Sequence, residues 1–264
     1  MASNVMSLTL INSDWAKLLG DPNFPQILDP AKQGERIHRF QNLYEDYSRL
    51  GLTKPYDRPT GIAGLEQRLL RTMNVQGRFG MLDDPKALGL LRRSLLWHRG
   101  KDTPRLDRIE FPSDQVAVPS WSWMAWKGGK HNNGTEYPGG INYFKLPFDQ
   151  FDWEDLQPPW SRSGHGEDDI LVAEARTYDH KAANSGGLRF IYDCPGNSDH
   201  RASMCVVLGV QVGALERSER RHYVLLIART EKVDSTKNQL WERVGAGYLL
   251  GRHVGDKTIS VRIW

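Results

Sequence analysis

The chain has 264 residues, 39% hydrophobic and 25% charged, with a formal net charge of +3. That is apolar enough for one large or two small domains and excludes a disordered chain. The charge is mild and interspersed, and the densest basic cluster (ERSERRH, 216–222) is diluted by acids, which argues against a nucleic-acid-binding face.

Residues 1–28 carry no sustained period; VMSLTLI suggests a short strand and GDPNFPQ a turn-rich connector. Asp29-Pro30 then reads as a helix start. Ile37, Phe40, Leu43, Tyr44, Tyr47 and Leu50 fall on one helical face, and Gly51 is the expected stop. A second helix is expected over 59–73, with Ile62, Leu65, Leu69, Leu70 and Met73 on one face and Asp57 placed to cap it. A third begins near Asp84-Pro85 and carries Leu88, Leu91, Leu95 and Trp97. His98 follows at its end, where a cation suits the helix dipole. VQGRFGMLDD, between the last two, reads as a glycine-punctuated loop.

From about residue 105 the period becomes two and β-branched residues increase. The expected strands are RLDRIEF, VPSWSWMAW, GGINYFKL, DILVAEART, GLRFIYD, SMCVVLGVQV, HYVLLIART, LWERVGAGYLL and KTISVRIW. No long helical pattern separates them. The expected fold is therefore α+β, with N-terminal helices (1–104) packed on a predominantly antiparallel β-sandwich or barrel-like part (105–264). The stretch 147–168 interrupts the strands; its prolines and aromatics suggest an ordered, packed loop.

Two cysteines, Cys194 and Cys205, cannot staple a chain of this length; a bridge across a hairpin is one reading, and two buried free thiols in a reducing, cytoplasmic setting is the favoured one. No apolar run is long enough to span a membrane, and the start lacks the pattern of a secretory signal. The sequon Asn133-Gly134-Thr135 is then a chance match.

VPSWSWMAWKGG (118–129) places three of the chain's nine tryptophans in six positions. In a strand, Trp121, Trp123 and Ala125 share one face, and Ser120, Ser122, Met124 and Trp126 the other. Two indoles on one face suit a sheet covered by the helices; the competing reading is an exposed aromatic platform for a sugar or nucleobase. Other chemistry is weakly signalled. His165-Gly166-Glu167-Asp168-Asp169 lacks the partners of a metal site. Asp152, Glu154 and Asp155 offer a carboxylate pair of the glycosidase kind. Gly245-Ala246-Gly247, before Gly251, misses the dinucleotide spacing by one residue and fits a close backbone approach within a strand. Cys205 lies in an apolar run, where a thiol is inert.

Several stretches in order resemble the region downstream of the domain core in fungal heterokaryon-incompatibility (HET) domain proteins. They are FQNLYEDYSRLGLTKPYDRPTGIAGLEQRL (40–69), GRFGMLDD (77–84), LRRSLLWHRG (91–100), VPSWSWMAWKGG, ILVAEART, HYVLLIA and WERVGAGYL. The signature or packing positions within them are Tyr47, Asp57, Arg58, Trp97, Pro119, Trp121, Trp123, Trp241 and Arg243. The resemblance implies a regulatory or recognition domain linked to self/non-self recognition and cell death, whose partner is another protein or an effector domain. It carries over no catalytic residue, cofactor or metal ligand. The family's defining N-terminal part, with its Toll/interleukin-receptor-like fold and suspected NAD cleavage, has no counterpart here. KHNNGTEYPGG (130–140) departs from the pattern as a turn-like insertion expected to extend a hairpin. The alternative is a carbohydrate-active or sugar-binding protein using tryptophan platforms and paired carboxylates.

Overall fold

The computed structural model describes residues 33–84, 89–130, 134–135, 137, 139–161, 169–179, 188–196 and 202–264. The strand expected in VMSLTLI, the Asp29-Pro30 helix start, Asn133 and the 165–168 acids lie outside them. Helix α1 (Gln33–Ser48) buries Ile37, Phe40, Leu43 and Tyr44, and α2 (Arg58–Met73) buries Ile62 and Leu69, following the apolar spacing. Asn74 ends α2 in the left-handed region (φ 52°), and its N–H reaches the Leu70 and Arg71 carbonyls. Asp57 does not cap it as expected. Its backbone is already helical, at the end of a 3-10 turn (Pro55–Asp57), and its carboxylate makes no capping hydrogen bond.

Residues 76–99 depart further from expectation. The loop between the second and third helices is a hairpin, β1 (Gln76–Arg78) with β2 (Met81–Asp83). Its two-residue turn, Phe79-Gly80, has φ of 55° and 75°, as a tight hairpin of this kind requires. The third helix, α3 (Leu90–Leu95), stops before Trp97. Trp97 and His98 instead open strand β3 (Trp97–Arg99), so His98 does not meet a helix dipole. Strands therefore occur inside the part expected to be helical.

The C-terminal strands close on themselves. β9 (Leu171–Tyr178), β11 (Met204–Gln211), β12 (Arg221–Val233), β13 (Gln239–Leu250) and β14 (Val254–Ile263) pair in that order, and β14 returns to β9. Five strands cannot alternate in direction all the way round, so one pair must be parallel. That pair is β13–β14, which share only Leu240↔Arg262 and Trp241↔Ile263. β10 (Arg189–Tyr192) adds to β13.

Alternate residues of β11 and β12 fall into two cores. Cys205, Val207, Val224, Leu226 and Ala228 join one; Met204, Val206, Tyr223, Leu225 and Ile227 join the other. Both faces being buried explains why these strands read as continuous apolar runs. The second core also takes α1, α2, α3 and the tryptophans, so residues on both sides of position 104 share it.

Within 147–168, the described residues 147–161 are held by two buried arginines of α3. Arg93 donates to the carbonyls of Leu146, Pro147 and Phe148 at 2.8, 2.6 and 2.9 Å, and Arg92 to those of Glu154 and Leu156. The backbone of 147–161 forms β7 (Phe151–Trp153), paired with β11, and β8 (Leu156–Gln157), paired with β9. Of the described residues in 130–140, Tyr137 N–H donates to the Gly129 carbonyl at 2.8 Å, but the two flanking strands do not pair with each other. The flanking β5 (Trp126–Gly128) and β6 (Ile141–Tyr143) pair elsewhere, with β4 (Leu106–Arg108) and β3.

A Cβ at Gly80 would collide with Trp123 Nε1 and require a backbone conformation that alanine disfavours. Gly80→Ala is expected to cost about 3 kcal/mol, read as a lower urea midpoint at unchanged slope.

Candidate functional site

The tryptophan segment is not a strand until Trp126. Ser120 and Trp121 form a turn, and Trp123–Ala125 a single 3-10 turn capped by the Ser122 hydroxyl, which accepts from the Met124 N–H at 3.0 Å. The expected alternation of faces is therefore absent, and both Trp121 and Trp123 are fully buried. Trp123 lies 5.4 Å from Tyr44 and 6.1 Å from Tyr47 of α1; Trp121 lies 6.2 Å from Phe79. Three indole N–H groups find carbonyls: Trp97 donates to Trp121, Trp121 to Asp169 and Trp126 to Ser120, at 2.8–3.0 Å. This closes the sugar-platform reading at Trp121 and Trp123, since neither ring reaches solvent.

Of the remaining signature residues, Tyr47, Arg58, Trp97, Pro119 and Arg243 converge on the same seam. The Tyr47 hydroxyl donates to the Arg58 carbonyl at 3.0 Å, and the Arg58 guanidinium to the Trp126 and Ser48 carbonyls. Pro119 is buried and its carbonyl accepts from Ser122 N–H. Arg243, on β13, has no exposed surface. It donates to Asp193 from Nε (2.9 Å) and Nη2 (3.2 Å), to the Leu95 carbonyl from Nη1 (2.8 Å) and to the Trp97 carbonyl from Nη2 (2.5 Å). Its guanidinium lies over the Trp97 ring, 3.3 Å from the centroid. The Ser120 hydroxyl accepts from Arg243 N–H and donates to the Trp264 carbonyl. Burial pushes the Asp193 carboxyl up and the Arg243 guanidinium down, while each partner holds the other charged. Asp57 is exposed and outside this seam.

The other candidates do not assemble a site. Asp152 and Asp155 are exposed, and Glu154 is ion-paired with Arg217. Asp169 accepts from Arg78 at 3.0 Å. Among the described residues no group of His, Cys, Asp and Glu has the arrangement of a metal centre. Cys194 and Cys205 are thiols, and burial pushes the Cys205 thiol up to about 12. Gly245 and Gly247 mark a close approach, as expected: a Cβ on Gly245 would sit 2.7 Å from the Ile191 carbonyl oxygen of β10.

Trp241, unlike the seam residues, is half-exposed and lines a surface groove. Between Arg229↔Trp241 and Val233↔Gln239 the β12–β13 register breaks, because three residues of β12 face one of β13. Thr230 and Gln239 side chains satisfy the carbonyls freed there: Thr230 Oγ1 donates to Leu240, and Gln239 Nε2 to Thr230, Lys232 and Leu240. The splayed strands leave a groove lined by Arg108, Arg229, Lys232, Trp241, Glu242 and Trp264, with Leu240 at its base. Arg108 lies between Trp126 and Trp264, 5.4 and 5.6 Å from their centroids, and Lys232 Nζ lies 5.0 Å from that of Trp264. Arg108 Nη2 donates to the Val118 carbonyl; its Nη1 is buried without a hydrogen-bond partner among the described residues. Burial brings the Arg108 pKa down to about 10.

Sequence reasoning missed Asp193, Arg108 and Trp264, and placed Ser120 only by strand parity. Asp193 had one signal, an acid ending an apolar strand pattern, but nothing tied it to an arginine 50 residues away.

Arg243→Met, which strands Asp193 as a buried unpaired carboxylate, is expected to cost about 3–5 kcal/mol, and Arg243→Met with Asp193→Leu much less. A double-mutant cycle in urea reads the difference. His98 gives a pH signature. Burial, opposed by its bond to the Arg99 carbonyl and by Glu45 and reinforced by Arg243 and Arg189, lowers its pKa from 6.5 to about 4. The unfolded chain thus takes up this proton first as pH falls. Wild type should lose about 3 kcal/mol relative to His98→Gln between pH 6.5 and 4, and none above that window, in denaturant titrations across pH.

Compared with family models, curated proteins and solved structures, the chain matches none.

Proposed function

We propose that the chain is a non-catalytic regulatory or recognition module of the heterokaryon-incompatibility type. It acts inside the cell, through a protein partner or effector domain, in self/non-self recognition and cell death. One observation supports this above the others. Pieces of the resemblance that lie up to about 200 positions apart in sequence, from Tyr47 to Arg243, are neighbours in one buried seam. Tyr47, Arg58, Trp97, Trp121, Trp123 and Arg243, drawn from separate stretches of the resemblance, belong to one structural unit, which supports reading those stretches together. The tryptophans and arginines that carry it are occupied in holding helices to barrel, which suits a rigid module that presents a surface.

The reading is tested by co-expressing the chain with the N-terminal core domain of an incompatibility protein from the same genome. The expected outcome is a stable complex on co-purification and a change in cell death relative to either partner alone. A chain that folds cooperatively, yet neither binds nor alters cell death, is left with a scaffold role only.

A further inference from the structure

We infer that the groove at the splayed end of β12 takes carboxylate side chains of an acidic segment of a partner protein. This deepens the recognition reading and rests on it. Three cations line the groove against two carboxylates, Glu231 and Glu242. Glu242 lies beside Arg108 and offsets it. Arg229 and Lys232 are both exposed at the lip, and neither forms an ion pair among the described residues. On the floor, Arg108 keeps Nη1 without an acceptor while its guanidinium is held between two indoles. An arginine fixed in this way keeps its positive charge in place beneath the lip, so it loses little further freedom when a carboxylate approaches Arg229 and Lys232.

The half-exposed tryptophans raise the competing possibility of a sugar stacked on an indole. The geometry disfavours it, because two cations already sit over the Trp264 ring. The groove therefore presents cationic heads aligned by aromatic rings, rather than bare rings. Its apolar base, Leu240 and the Trp241 edge, is suited to the aliphatic stem of a glutamate or to an apolar neighbour in the same segment.

The test uses the whole chain and a fluorescein-labelled decapeptide alternating glutamate and valine, with a glutamine–valine counterpart and a cello-oligosaccharide as competitor. The glutamate peptide should bind about tenfold or more tightly than the glutamine peptide and lose most of its affinity in about 1 M salt. Arg229→Ala with Lys232→Ala, both on exposed side chains, should weaken it about tenfold at an unchanged melting temperature. No binding, equal binding of the two peptides, or binding undiminished in the double variant overturns the inference. Displacement by the oligosaccharide assigns the groove to a sugar instead and overturns it too. If these peptides fail while the core domain still binds, the groove falls and the recognition reading stands. If the glutamate peptide binds but the core domain does not, the proposed partner falls and the groove stands.

Discussion

Arg243 carries its charge into a place no water reaches, and the surrounding chain is arranged to make that tolerable. Bringing an arginine and an aspartate out of water costs several kcal/mol per ion, and attraction between them repays this only with close geometry and every donor satisfied. Here the guanidinium makes two bonds to Asp193 and two to the carbonyls of Leu95 and Trp97, and stacks on the Trp97 ring. Those four acceptors come from the end of α3, from β3 and from just past β10. The bonds therefore fix where β13 sits against three separate segments. The pair adds little net stability over an apolar substitute, but any other arrangement of helices on barrel leaves a buried charge without a partner. That makes it a device for specifying one packing.

The tryptophan turn fills the space the pair defines. Serines alternate with tryptophans there for a reason other than strand parity. A turn buried on all sides has backbone groups that no ladder can satisfy. Ser120 bridges Arg243 N–H and the Trp264 carbonyl, and Ser122 caps its own 3-10 turn and donates to the Phe79 carbonyl. The indoles supply area, and three of them spend their N–H on carbonyls of the same seam. Trp123 makes no such bond; its Nε1 abuts Gly80, which ties the β1–β2 hairpin to the turn by shape.

Legibility in the sequence followed the range of the interactions. The faces of α1 and α2 and strands β9 and β11–β14 were readable, because local period and burial agree along them. The tryptophan turn was misread because W-S-W imitates a period of two, while the hydroxyl bonds that make it a turn are tertiary. Trp97 was placed on a helix because Leu96 ends α3 with no glycine or proline to mark the break. β7 and β8 were invisible: their pairing depends on Arg92 and Arg93 reaching carbonyls more than 50 residues away. The groove was legible only at Trp241, since its other walls come from β4, β12 and the last residue.

Seam and groove share a strand. Trp241 and Arg243 are two apart on β13 and so lie on the same face. Where the helical layer covers that face the side chain is a sealed arginine; where cover ends it is a half-exposed tryptophan. Ser120 links the two places directly, bonding Arg243 N–H on one side and the Trp264 carbonyl on the other, while Trp264 N–H donates to the Trp241 carbonyl. Arg108 is tied to the same turn through Val118. The groove is thus built on the back of the buried joint, and Arg108 on its floor is held by the bonds that hold the fold together. A surface mounted in this way keeps its shape before a partner arrives, so little of the binding energy is spent on ordering it.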